Sequence, residues 1–95
     1  MKTNPAILEK RNQRITARLR RIQGQVAAIE RSLVTNPDGT TLLQRIAAAR
    51  GAMNGLMADL IEEQLRMLQF DGANDDAREA IEETIDVVHA YLTPR

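Results

Sequence analysis

The constraint that most limits this chain is an unbroken heptad seam near its start. Ile15, Leu19, Ile22, Val26, Ile29 and Leu33 follow one another at spacings of 4-3-4-3-4. Only an α-helix brings such positions onto one face, and a seam this regular asks for another helix against it. Gly24 lies inside the seam without shifting its phase, so it reads as an internal glycine rather than a cap. Asn4 precedes Pro5, a favourable N-cap followed by a favourable first helical residue. The run Thr35-Asn36-Pro37-Asp38-Gly39 breaks the pattern. The first helix is therefore expected over about residues 5–34.

A second helix is expected over about 40–70. Leu42, Ile46, Ala49, Met53, Leu56 and Leu60 repeat at the same spacing, while Ala48, Gly51, Ala52, Gly55 and Ala58 gather on the other side. An apolar seam opposed by a nearly bare side describes a central helix covered on both flanks. After Asp71-Gly72-Ala73-Asn74, a third helix is expected over about 75–92. Asn74 or Asp75 would cap it, with Asp75, Asp76 and Glu79 near its positive end. Its stripe is Ala77, Ile81, Ile85, Val88 and Leu92, and Pro94 ends it.

Composition decides what three such helices make. The 95 residues include one Tyr, one Phe and no Trp, so the large aromatic anchors of most small cores are missing. A chain this short has little interior of its own. Stripes too wide for one three-helix monomer then point to an all-α protomer whose long helices 1 and 2 form an antiparallel four-helix bundle dimer or a larger assembly. The chain reads as a single domain, 1–95. Zero Cys excludes a disulfide scaffold, a thiolate metal site and a thiol nucleophile. No apolar run approaches the 18 or so residues of a membrane span, and the N-terminus lacks a signal peptide's apolar core. A cytoplasmic, oligomeric protein with no cofactor and no membrane partner is the expectation.

Charge is balanced overall and segregated along the chain. Residues 1–34 hold eight basic and two acidic residues, a net +6, whereas residues 71–95 hold two basic and seven acidic, a net −5. Between Lys10 and Arg21 there are six basic residues, five of them Arg, and no acidic one. Lys10, Arg11, Arg14, Arg18 and Arg21 fall within about 100° of helical arc beside the seam; Arg20 points elsewhere. A solvated face would normally intersperse Glu at i,i+4 spacing. A one-sign arginine stripe suits the phosphates of double-stranded DNA, since the guanidinium fork binds them bidentately. Pairing with the acidic third helix is the competing reading. Arg50, placed among Leu43, Met57 and Ile61, must snorkel, pair or face a partner, and it joins the DNA-contact candidates.

Several motifs together resemble a known family. They are Arg18-Leu-Arg-Arg-Ile-Gln-Gly-Gln25, Ile29-Glu-Arg-Ser-Leu33, the block Gln44-Arg-Ile-Ala-Ala-Ala-Arg-Gly-Ala-Met-Asn-Gly-Leu-Met57, and the closing Ile85-Asp-Val-Val-His-Ala-Tyr-Leu92. Over about residues 8–92 the chain resembles the CsoR/RcnR/FrmR family, bacterial repressors that sense copper, nickel and cobalt, or formaldehyde. The resemblance implies a three-helix protomer, a flat tetramer built from two dimers, and operator DNA bound through basic residues of helices 1 and 2. It assigns Arg14, Arg18, Arg21 and Arg50 to the DNA face, and it implies an inducer that disfavours the DNA-binding form.

The sensor positions depart from that pattern. The Cys that family members place at the start of helix 2, and the two ligands further along it, align with Gly39, Gln64 and Leu68; a further N-terminal ligand falls near Ile7. None is a soft-metal ligand, and Gly39 has no side chain for an adduct with formaldehyde. No response to copper, nickel, cobalt or zinc through that site is expected, and any inducer is of another chemistry. Gln64 reads as a polar residue fixing register at a bundle interface, ahead of a remnant pocket for another ligand. His89, the sole His, reads as structural or exposed near Tyr91 and Asp86. The pairs Glu62-Glu63 and Glu82-Glu83 read as solvated faces.

Two rivals remain at the level of sequence. Small helical enzymes resembling the AroQ-type chorismate mutases also carry Arg on a long first helix, but theirs point inward, and no nucleophile, metal ligand or phosphate loop appears here. A helical oligomer or partner protein that does not bind DNA is the other. Steep weakening of binding with salt distinguishes the repressor from it.

Overall fold

A computed structural model describes residues 4–35, 38–70 and 74–94. The chain is all-α, with three helices and no strand among the described residues: α1 (Pro5–Thr35), α2 (Gly39–Phe70) and α3 (Asp75–Leu92). Each starts where a side chain satisfies the otherwise unpaired amides of a first turn. Asn4 Oδ1 accepts from the Ala6 amide at 2.8 Å. Asp38 Oδ1 accepts from the Thr40 amide at 3.4 Å, and Asp38 Oδ2 accepts from Thr41 Oγ1 at 3.3 Å. Asn74 Oδ1 accepts from the Ala77 amide at 2.8 Å, ahead of Asp75 and Asp76 in the first turn. At the far end, the Thr93 amide donates to His89 O at 2.9 Å. Helix α1 runs through Gly24 and one residue further than expected, taking in Thr35. Of the expected breaks, Asn36, Pro37, Asp71, Gly72 and Ala73 lie outside the described residues.

The chain divides into two compact units, Lys2–Met53 and Asn54–Arg95, with α2 running continuously through both. In the first unit the packing of α1 differs from the expected seam. Ile22 is buried and Ile15 and Ile29 are half-buried, as the heptad requires, but Leu19, Val26 and Leu33 are exposed, Leu33 at 60%. The column on the other flank is covered instead: Arg11, Arg18 and Gln25 are half-buried and Ser32 is 3% exposed. Helix α1 is therefore turned toward its arginine side. Ser32 tolerates burial because its Oγ donates to Ala28 O at 3.0 Å, and the long Arg stems cover apolar surface. Gln25 Oε1 is buried without a hydrogen-bond partner among the described residues.

Along α2, Leu42, Ala49 and Leu60 are half-buried and Leu56 is buried, while Ile46 and Met53 of the same expected seam are exposed. Leu43, Met57 and Leu68 are exposed as well, so one side of α2 offers apolar residues to solvent over most of its length. The small-residue side is covered only in its later part. Ala58 is 0% exposed and Ala52 and Gly55 are half-buried, whereas Ala48 and Gly51 are exposed and nothing lies within 4 Å of a Cβ added at Gly51.

The second unit joins the later part of α2 to α3. The whole α3 stripe is used: Ile85 is 3% exposed, and Ala77, Ile81, Val88 and Leu92 are half-buried. Val87 and Tyr91, off that stripe, face solvent. No helix of the described residues is long and apolar enough to cross a membrane.

Candidate nucleic-acid interface

The basic residues of α1 fall into two sets. Lys10, Arg14 and Arg21 are exposed along one side of the helix. Arg11 and Arg18 are half-buried at the packing edge, and both take part in interactions within the chain; Arg11 Nη1 also donates to Asn12 Oδ1 at 3.2 Å. The division follows from the turn of α1 described above, which draws the column containing Arg11, Arg18, Gln25 and Ser32 inward. A rigid helix holding three exposed cations at spacings of about one and two turns offers a row of donors to a row of phosphates.

Arg50 is exposed, but it stands on the α2 side occupied by the exposed Leu43, Ile46, Met53 and Met57. That is an apolar stripe with one charge in it, not a continuation of the α1 row. A shallow concavity runs along another side of α1, lined by residues that include Leu8, Asn12, Gln13, Thr16 and Arg20.

The positions aligned with the family's sensor ligands offer little coordinating chemistry. Gly39 opens α2 and is exposed, with nothing within 4 Å of an added Cβ. Gln64 is exposed and Leu68 is 54% exposed. A glycine, an amide and an aliphatic side chain do not make a thiolate or imidazole donor set. No cluster of three or more His, Cys, Asp or Glu able to hold a metal occurs among the described residues.

The strongest polar arrangement lies in the second unit, where sequence reasoning expected solvated faces. Glu62 accepts from Arg66 Nε at 3.4 Å through Oε2, and its Oε1 lies 2.9 Å from His89 Nε2. Arg66 Nη1 donates to Glu82 Oε1 at 2.7 Å. Glu62 and Glu82 are thus members of an ion-pair network between α2 and α3, and Glu63 also has a partner within the chain. The Glu82 hydrogen bond holds the Arg66 guanidinium above its ordinary proton affinity; partial desolvation opposes this, and the Glu82 and Glu62 charges add to it. One part was legible: Glu62 and Arg66 have the i,i+4 spacing of a helical ion pair. The links to Glu82 and His89 depend on how α3 is set against α2.

Comparison with known proteins agrees with this architecture. The model of a family described as metal-sensitive transcriptional repressors matches residues 11–90. The transcriptional repressor RcnR of Salmonella paratyphi B is 41% identical over 80 residues, covering 84% of this chain and 86% of its own. An uncharacterized protein in the bioA 5′ region of Serratia marcescens is 38% identical over 81 residues, covering 83% of this chain and 89% of its own. An all-α chain of three helices with that extent of likeness has one place: the chain belongs to the metal-sensitive transcriptional repressor family, the CsoR/RcnR group.

Proposed function

We propose that the chain is a DNA-binding transcriptional repressor that grips operator DNA through the basic side of α1. The observation that carries this reading, beyond family membership, is the row of exposed Lys10, Arg14 and Arg21 in a segment with no acidic residue from 10 to 21. Neutralising several phosphates releases counterions, so such a row supplies most of the affinity and makes it salt-dependent. Arg11, Arg18 and Arg50 complete the proposed set. The first two reach phosphate from the packing edge, and Arg50 is taken into the set from the family resemblance, which assigns it to the DNA face.

The working form is a homo-oligomer in the cytoplasm: an antiparallel four-helix bundle dimer of α1 and α2, and a tetramer of two dimers. Its support is the exposed apolar surface of Leu19, Val26, Leu33, Leu43, Ile46 and Met53, more than a small single-copy protein leaves open. The whole chain acts as one domain, as a regulator and not an enzyme. With Gly39, Gln64 and Leu68 at the aligned sensor positions, the repressor does not answer nickel, cobalt, copper or zinc through that site.

The test is a titration against the chain's own upstream promoter DNA at two salt concentrations. Selective binding that weakens steeply with salt supports the repressor; no binding at low salt by a confirmed oligomer overturns it. The competing reading, a helical oligomer that does not bind DNA, draws on the engagement of Arg11 and Arg18 inside the chain. The same titration separates the two.

A further inference from the structure

We infer that the outward side of α3 is a docking surface for a second copy of this chain, and that it receives the basic row Lys10, Arg14 and Arg21 of that copy's α1. The side in question is the one α3 does not use in its own unit. Asp76, Glu79, Glu83 and Asp86 are exposed within about 80° of helical arc, and Ala80, Val87 and Tyr91 occupy about the next 40°. Val87 is 66% exposed and Tyr91 84%, and their i,i+4 spacing joins them into one apolar ridge beside the carboxylates. The ion pairs that tie α3 to α2 run through Glu82 and His89, on the other side of the helix, and Arg78 falls there as well.

Charge complementarity names the occupant. Residues 71–95 carry a net −5 and residues 1–34 a net +6, in a chain whose total is zero, the balance at which association is least opposed. The periods match too. Arg14 and Arg21 are seven positions apart, as are Asp76 and Glu83, and Glu79 and Asp86. Seven positions are about 10 Å along a helix axis, so two neighbouring guanidinium groups meet two carboxylates at one register. Ile7, 63% exposed, stands on the same side of α1 as the basic row and offers an apolar contact to the Val87–Tyr91 ridge.

Such a contact joins two different surfaces, one from each copy, so it runs head to tail. It is held mainly by exposed ion pairs, each weak and screened by salt, and it is therefore readily reversible. One row of cations cannot serve α3 of a neighbour and a row of phosphates at the same time, so the docked form is one in which the row is withheld from DNA. That consequence rests on the DNA reading; the contact between copies does not.

The experiment is sedimentation velocity of the full chain without DNA, at low and at high salt and at several protein concentrations. The expected result is a larger species at low salt than at high salt, growing with protein concentration. Glu79→Lys with Asp86→Lys makes both sides of the contact basic, and Arg14→Glu with Arg21→Glu makes both acidic; each chain alone is expected to lose the shift. An equimolar mixture of the two pairs opposite signs again and is expected to regain it. Equal sedimentation of the wild type at both salts, a shift that survives Glu79→Lys with Asp86→Lys, or a mixture that regains nothing overturns the inference. Should either reversed chain not fold, Glu79→Gln with Asp86→Gln decides: an undiminished low-salt species there overturns it. No DNA enters the experiment, so its failure leaves the repressor reading standing.

Discussion

Arg66 Nη1 lies 2.7 Å from Glu82 Oε1, and through this contact the later part of α2 is tied electrostatically to the first half of α3. Removing the guanidinium takes from Glu62 and Glu82 the cation they share. Arg66→Gln is expected to lower hydrogen-exchange protection in α3, with Glu82→Gln giving the same effect and the double variant adding little to either. Because the groups are part-exposed, the difference from wild type is expected to shrink as salt rises. Additive losses in the double variant would mean that the two side chains act separately.

The N-cap of α3 is a second local support. Asn74 Oδ1 accepts from the Ala77 amide at 2.8 Å, and Asn74→Ala removes that acceptor. A loss of about 1 kcal/mol is expected in denaturant unfolding, whereas Asn74→Asp or Asn74→Ser is expected to stay close to wild type.

Ile85 anchors the same helix from its apolar side, being 3% exposed. Truncation to Ala leaves a cavity that the surrounding side chains fill only in part. Ile85→Ala is expected to cost about 2–4 kcal/mol, measured by urea unfolding. Val87→Ala, on the exposed side of the same turn, is expected to cost little by comparison.

The two sets of arginines on α1 predict different phenotypes. Arg14→Ala and Arg21→Ala are expected to weaken promoter binding and to reduce the slope of log affinity against log salt by about 1 per lost phosphate contact. Helicity and oligomer size are expected to hold. Arg18→Ala, half-buried and engaged within the chain, is expected to lower stability as well as affinity. Unchanged DNA affinity in all three variants would remove α1 from the interface.

Oligomerisation is expected to fail when charge enters the open apolar side of α2. Ile46→Glu and Met53→Glu each place a carboxylate among exposed apolar neighbours, and sedimentation is expected to report a smaller species. An unchanged sedimentation coefficient in both would place the interface on another surface.

How much of this could be read from residues alone varies with the range of the interaction. The α3 stripe from Ala77 to Leu92 was legible in full, because a short helix with one neighbour buries the single face its periodicity marks. The broad apolar side of α1 was legible as a face, but not the half of it that is covered within one chain. That turned on Ser32 and Gln25, polar residues whose burial no apolar pattern announces. The DNA-contact candidates were legible as a charged row, and their division into exposed Lys10, Arg14 and Arg21 and half-buried Arg11 and Arg18 was not.

The sequence by itself determined what is local: where Asn4, Asp38 and Asn74 start helices, where Pro94 follows the last one, and which residues share a helical face. These depend on backbone preferences and on amides satisfied within a few residues. Tertiary structure alone decided how far α1 is rotated about its axis and which carboxylates of α2 meet α3. Rotation and register are set by the summed packing of both partners, so Glu62 and His89, 27 positions apart, become neighbours through contacts that neither helix encodes alone.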